Sequence, residues 1–516
     1  MSGHLKVFIA IVVLGTLAIV GYRFARPLLT DAAQRQTSDA AATRGKASIG
    51  MDSWIGYFPL CSPQMERRMR GEGYVVRCED DKADYAARFQ RLANGELDFA
   101  VSTVDAWLLN GKAFDYPAAI VAVIDESKGG DAIIARRARI PDLEALKRVT
   151  GARIAFTPAS PSEHLLKSIG VHFDLPQLRE RRGAWRVEAA GSSDALARLN
   201  RGEVDVAVLW EPDVSRALAD PAYVKLIGSD DTEKLIVDVL LASRRVLQER
   251  PELVQTVLKQ YFDSLLYYTE DSAALRKDAA AASGLPAEQV DAMLGGVRWV
   301  SLNENGAAWF GISPGGVPTE EGLIEAMRSA TSVLIAAGDF SADPIPDGDP
   351  YRLTNRQPLS ALYLADSGTA IGGTAVDGLA RAFSALDDAG WARLREIGTL
   401  RIEPIGFARG TANLDEQGVA ALAAVAERLS HYPNYRLVVK GNTGIDGEPR
   451  ANLELSQKRA LAVVEHLIAT YRMDANRIRG LGFGGTQPLS RREGESDRAF
   501  GYRLPRVELA LVSEPL

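Results

Sequence analysis

The chain has 516 residues, enough for two to four domains of ordinary size. Its 60 basic and 67 acidic residues leave a formal net charge of −7, and 46% of residues are hydrophobic. This balance suits globular domains and excludes a nucleic-acid partner recognised through a basic field. Two cysteines and five histidines without Cys-x-x-Cys or His-Glu-x-x-His spacing predict no metal site and no cofactor.

Residues Val7 to Val20, VFIAIVVLGTLAIV, form an apolar run preceded by Lys6 and followed by Arg23 and Arg26. The run is short for a bilayer span and also fits the core of a signal peptide. Only the weak Asp31 to Ala33 (DAA) follows as a cleavage site, and no cysteine follows for lipid attachment. Residues 1–26 are therefore expected to remain as one N-terminal transmembrane helix, with a cleaved signal as the alternative. The flanking charges do not set its orientation. Residues 27–45 are polar and Ala/Thr/Gln-rich and read as a tether.

From 46 to 340, short apolar runs alternate with helical segments: KASIGMDSW, YVVRCE, DFAVST, AAIVAVID, ARIAFT, DVAVLW and VDVLLA. That alternation predicts α/β architecture with mainly parallel sheets in two lobes. Residues 341–396 form a Pro-rich boundary and a helical spacer, with Leu379, Phe383, Leu386, Trp391 and Leu394 at helical spacing. Residues 397–516 read as a compact β-α-β-α-β-β unit.

In that last unit, FARGTANL, GNTGIDGEPRANLELSQKRALAVVEHL, RIRGLGFGGTQPL and RVEL are collinear with the OmpA-like peptidoglycan-binding family, which the unit resembles. The resemblance implies binding of the carboxylate and amine of wall diaminopimelate, by an Arg on a helix and an Asp in the preceding loop. Charge-assisted forks make such a pair specific. Arg459, Asn452 and Ser456 match the family motif, and Thr443 keeps its place. The family's GHTD is GNTG here: Asn442 replaces the His and Gly444 replaces the Asp, leaving Asp446 two residues on as the nearby acid. The closing Asn-Arg-Arg run reads Leu504, Pro505, Arg506. Either the unit still binds peptidoglycan, more weakly, or it has become a structural or protein-docking module.

Residues 46 to about 310 resemble periplasmic solute-binding proteins of the nitrate, taurine and thiamine-precursor type. The segments carrying the likeness are SWIGYFPL, LANGELDFAVSTVD, VIDESKGGDAI, ARIAFTPASPSEHLL and LARLNRGEVDVAVLWEP. In open α/β sheets, ligands sit beyond the carboxyl ends of strands. The positions there are Trp54, Tyr57, Ser102, Thr103, Asp105, Asp131, Ser160, Ser162, His164, Trp210 and Glu211. Ser160 and Ser162 either meet an anion at a helix start or merely cap it. Trp54 and Trp210 are either cleft walls or core, and His164 is a contact or a packed histidine. Asp105, Asp125, Asp131, Glu211 and Asp238 are either ordinary caps or selectors for a ligand with amino or hydroxyl donors. Gly129 to Asp131 has the wrong spacing for a dinucleotide fingerprint and reads as a hinge or crossover loop. Cys61 and Cys78 fall at one sheet end, where an oxidising periplasm favours a disulfide over two free thiols.

These readings predict a non-enzymatic periplasmic receptor for a small polar or anionic solute. It is anchored in a Gram-negative inner membrane, tethered to peptidoglycan, and serves a transporter. The rival is a stator-like accessory subunit bracing a membrane channel or complex, with the solute-binding fold as a docking or regulatory module. No lysine-histidine-cysteine constellation supports an enzyme on this fold.

Overall fold

A computed structural model describes residues 43–513, apart from 174, 176, 177, 179–181, 233, 313–320, 367–382, 409, 433, 434 and 493. The expected N-terminal helix, the tether as far as residue 42, and Leu379 lie outside the described residues. Among those described, no helix is long and apolar enough to cross a membrane.

The larger region carries β1 (Gly45–Met51), β2 (Tyr74–Asp80), β3 (Phe99–Thr103), β4 (Ala118–Ser127) and β5 (Asp131–Arg136). These are followed by β6 (Ile154–Phe156), β7 (Arg186–Glu188), β8 (Val206–Trp210), β9 (Tyr223–Gly228), β10 (Val237–Ser243) and β11 (Val297–Trp299). One sheet has the order β11-β4-β10-β3-β1-β2 and the other β7-β6-β8-β5-β9. The expectation of mainly parallel sheets needs correction. β10 runs antiparallel to both β3 and β4, and β5 runs antiparallel to both β8 and β9. The cause is the crossover. The chain leaves the first sheet on β4, enters the second on β5 after three residues, and returns on β10, so strands that cross between lobes lie against their neighbours' direction.

The two lobes repeat one local solution. Helix Tyr85–Ala93 is followed by Gly95 and helix Ser192–Arg201 by Gly202, both at φ +76°, where a side chain would be strained. An aspartate then precedes each next strand. Asp98 accepts from the Ser48 N–H at 3.2 Å, and Asp205 from the Arg153 N–H at 2.9 Å. Each carboxylate thus satisfies the edge of the adjacent parallel region, which explains the doubled "G-E-x-D" phrase in the sequence.

The Pro-rich stretch after 340 is not detached from the first lobe. Tyr116 donates to the Pro344 carbonyl at 3.1 Å, and Leu353 and Leu359 are buried in the first lobe's core. In its described part the expected linker and helical spacer carries two helices, Gln357–Asp366 and the short Asp388–Arg393. Phe383 and Trp391 instead lie under arginines of the last domain: Arg436 is 5.0 Å from the Phe383 ring and 5.6 Å from that of Trp391. The spacer therefore packs rather than spans.

The last domain has β12 (Arg395–Leu400), β13 (Arg436–Asn442), β14 (Ile478–Gly482) and β15 (Arg506–Ser513), in the order β12-β15-β13-β14. Helices Glu416–Ser430 and Pro449–Tyr471 lie between them, as expected. A further short helix, Asp497–Arg503, interrupts the expected β-β ending. Arg477 is fully buried and donates to the carbonyls of Leu429, Tyr432 and Tyr435, closing the end of helix Glu416–Ser430.

Cys61 and Cys78 form a disulfide, with Cα atoms 6.2 Å apart, across a separation of 17 residues. Closing a loop of that length is worth about 3 kcal/mol through the unfolded chain. The Cys61→Ser/Cys78→Ser protein should lose about that much stability in urea titration, an effect that reductant should reproduce in the wild type.

Candidate functional site

The site lies where the two sheets exchange strands. Across the β4–β10 pairing, Asp125 stands opposite Asp238. Three residues past β4, Asp131 opens β5 opposite Trp210, the last residue of β8. Trp54 and Tyr57 follow β1, and Thr103 ends β3. A narrow cavity between the lobes is lined by Asp52, Trp54, Tyr57, Thr103, Asp131 and Trp210, with Tyr85, Pro161, Ile236 and Asp238 completing it. Two glycines let Trp54 reach this place. A Cβ on Gly130 would lie 2.2 Å from the Trp54 ring, and one on Gly56 would lie 2.2 Å from the Asp125 carboxylate.

Aromatic donors hold the acids. The Trp54 indole N–H donates to both Asp125 oxygens at 3.2 and 3.3 Å, and the Tyr57 hydroxyl donates to Asp238. Tyr85 donates to Asp52 at 3.3 Å. The fully buried Arg88 donates to Asp52 at 3.0 Å, to Asp81 at 2.5 and 2.6 Å, and to the Val101 carbonyl at 2.7 Å. Burial raises both Asp125 and Asp238 well above the usual carboxylate range; hydrogen bonds from Trp54 and with Asp238 oppose this for Asp125, while for Asp238 the charge of Asp125 adds to it and the Tyr57 hydrogen bond opposes it. Burial also raises Asp131 to about 7; the charges of Asp105, Asp52 and Glu211 add to this, and a Ser127 hydrogen bond opposes it.

Of the residues proposed from sequence, Trp54, Tyr57, Thr103, Asp131 and Trp210 line the cavity, and Asp105 is buried in the first turn of helix Val104–Gly111. The others, His164 apart, have partners within the protein. The Ser102 hydroxyl donates to the Thr103 carbonyl at 2.9 Å. Ser160 caps helix Pro161–His172, accepting from the Ser162 N–H, while the Ser162 hydroxyl donates to the Val208 carbonyl at 3.1 Å. Glu211 accepts from the Ser215 N–H and hydroxyl at 3.0 and 2.7 Å. His164 is buried with no hydrogen-bond partner for either ring nitrogen, and burial lowers its pKa. Sequence reading missed Asp52, Tyr85 and Arg88. Tyr85 and Arg88 stand three apart on one helix face, and Asp52 immediately follows β1, but nothing local marks them as partners.

In the last domain, Arg459 donates through Nε to the Thr411 carbonyl at 3.0 Å, and its guanidinium lies 5.1 Å from the Phe407 ring centre. Among the described residues no carboxylate pairs with it, and burial lowers its pKa. Asn452 donates to the Asp446 carbonyl at 2.9 Å. Thr443 donates its N–H to the Gly484 carbonyl at 2.8 Å and its hydroxyl to the Gly444 carbonyl at 3.1 Å.

The fold and cleft define a two-lobed binding domain joined to a small α/β domain. Residues 82–285 match the family described as ABC transporter, phosphonate, periplasmic substrate-binding protein, and residues 406–500 match the OmpA family. The chain thus joins a domain of ABC-type periplasmic substrate-binding kind to an OmpA-family domain. Outer membrane protein Omp38 of Acinetobacter baumannii is 34% identical over 98 residues, 19% of this chain and 28% of that protein. Outer membrane porin F of Pseudomonas aeruginosa is 28% identical over 89 residues, 17% of this chain and 25% of that protein. The chain therefore spans about a quarter of the length of these relatives. Among solved structures, the alkanesulfonate-binding protein SsuA from Xanthomonas axonopodis pv. citri has a TM-score of 0.44 at 19% identity, covering 63% of this chain and 99% of that one. The desulfurization enzyme DSZB has a TM-score of 0.42 at 14% identity, covering 63% and 100%.

Because Asp131 titrates near 7 in the fold and near 4 when unfolded, the native protein holds a proton that the unfolded chain releases. Its stabilising contribution is complete below about pH 4 and is lost as pH rises through 7. Asp131→Asn should therefore flatten the fall in stability between pH 4 and 8. At pH 8 it should leave the variant more stable than wild type by roughly 2–4 kcal/mol in urea titrations, with little difference at pH 4.

Proposed function

We propose that the chain is a receptor for a small polar solute on the periplasmic side of a Gram-negative inner membrane, serving transport or sensing rather than catalysis. Residues 1–26 anchor it in the membrane and the last domain tethers it to peptidoglycan. The observation that carries the solute reading is a set of buried polar atoms without partners: Thr103 Oγ1 and Trp210 Nε1 in the cavity lining, and Asp105 Oδ1 two residues on from Thr103 in the first turn of helix Val104–Gly111. Buried groups of this kind are ordinarily satisfied, and here a bound molecule supplies what the protein does not. Mass spectrometry of small molecules released from the purified protein tests this reading. Trp210→Ala should reduce the recovered ligand while cooperative unfolding is retained.

The wall reading is supported by Arg459, which carries no ion-pair partner among the described residues, and is weakened by Gly444. A Cβ at Gly444 would meet nothing nearer than the Asp446 nitrogen at 4.0 Å, so a side chain fits there. Gly444→Asp should strengthen retention on purified peptidoglycan by roughly ten- to a hundredfold, the worth of a charge-assisted contact. Arg459→Ala should abolish what binding the wild type has. Equal retention of all three proteins would count against a wall anchor and for the stator-like alternative. That alternative draws support from the shared core that fixes the last domain to the second lobe: Phe173 bridges to Leu400, and His172 is 2.6 Å from the Tyr432 hydroxyl.

A further inference from the structure

We infer that the cleft selects an organic ammonium compound carrying an oxygen acceptor, and rejects simple anions; this rests on the solute-receptor reading and assigns its ligand class. The first ground is the charge facing the cavity. Asp52, Asp131 and Asp238 line it and Asp105 lies beside it, while no lysine or arginine is among the lining residues. Arg88, which pairs with the cavity-lining Asp52, is already shared with Asp81. A phosphonate, sulfonate or phosphate entering here would bring negative charge into a dry, carboxylate-lined space with no free cation to meet it. A cation would let these carboxylates ionise without leaving charge unpaired.

The second ground is independent of the acids' number. Asp105 Oδ1 is a buried acceptor without a donor, and the Thr103 hydroxyl is likewise unpartnered. The Trp210 indole N–H is a buried donor without an acceptor. A ligand completing this set presents N–H donors towards Asp105 and an oxygen towards Trp210. The walls agree: Trp54, Tyr57, Tyr85 and Trp210 offer aromatic surfaces suited to an ammonium and its carbon stem. A metal ion fits less well. Among the described residues no group of three or more His, Cys, Asp or Glu side chains is arranged to hold one. The ligand is therefore not the bare phosphonate after which the matching family is described.

Isothermal titration of the full chain in detergent tests the assignment, with ethanolamine and 3-aminopropanol as ammonium probes and methylphosphonate, ethanesulfonate and phosphate as anions. Binding is expected for the ammonium probes alone, weakened tenfold or more by Asp105→Asn and by Asp131→Asn, with both variants unfolding cooperatively. Binding of an anion instead would overturn the charge assignment and leave the receptor reading standing. Ammonium binding unchanged in both variants would place the contact elsewhere and overturn the assignment as well. No heat from any probe, together with no small molecule released from the protein as isolated, would overturn the assignment and the receptor reading together.

Discussion

The pairing of β4 with β10 sets Asp125 against Asp238 in a place that water does not reach, and the cleft is organised around that juxtaposition. Burial holds both acids well above the usual carboxylate range, so little charge stands between them. Trp54 and Tyr57 then aim their donors at the remaining charge, which fixes the segment after β1. Gly56 and Gly130 are small because the indole must pass between them to do so. A strand register thus determines the position of two aromatic walls and the identity of two glycines.

A second arrangement ties the binding domain to its neighbour. Phe173, at the end of helix Pro161–His172, packs against Tyr432 with ring centres 5.4 Å apart and would clash with any side chain at position 398. The backbone N–H of Arg401 donates to the His172 carbonyl at 2.5 Å. The apolar core of the second lobe runs without a break into that of the last domain, from Ile154 and Phe156 to Leu422 and Leu437. Burial, the neighbouring His431 and Arg428 all lower the pKa of His172, so this contact is made by a neutral ring and is insensitive to ordinary periplasmic acidity.

The domain types and most elements were legible in the sequence because they rest on local signals. The period of the apolar runs, the glycines that end helices and the collinear motifs of the last domain are all read within a few residues. Strand direction was not legible. Whether β10 runs with or against its neighbours depends on which lobe the chain has just left, a fact distributed over more than 100 residues. The site divides in the same way. Aromatic and acidic residues at strand ends could be named, and capping was one of two readings open for Ser160 and Glu211, but the Ser162 bond to the Val208 carbonyl and the Asp52–Arg88–Asp81 network depend on contacts 7 to 46 residues apart. The spacer around Trp391 has helical spacing over a longer stretch than its helix, because arginines from the neighbouring sheet, rather than a helical partner, cover its aromatic rings.

The continuous core between the second lobe and the last domain makes those two parts one packed unit. Those two bodies are joined by interdigitated side chains, whereas the lobes are joined by crossing strands with glycines at the bend. With the last domain held by a fixed support, the second lobe becomes the stationary frame. The first lobe carries the segment around Leu353 and Leu359, and its helix Gly322–Ala336 reaches the last domain where Ser329 is 3.0 Å from His431. The described chain enters the structure at its N-terminal end through β1 of the first lobe. A load applied between β1 and the last domain therefore passes through the contacts between the two lobes.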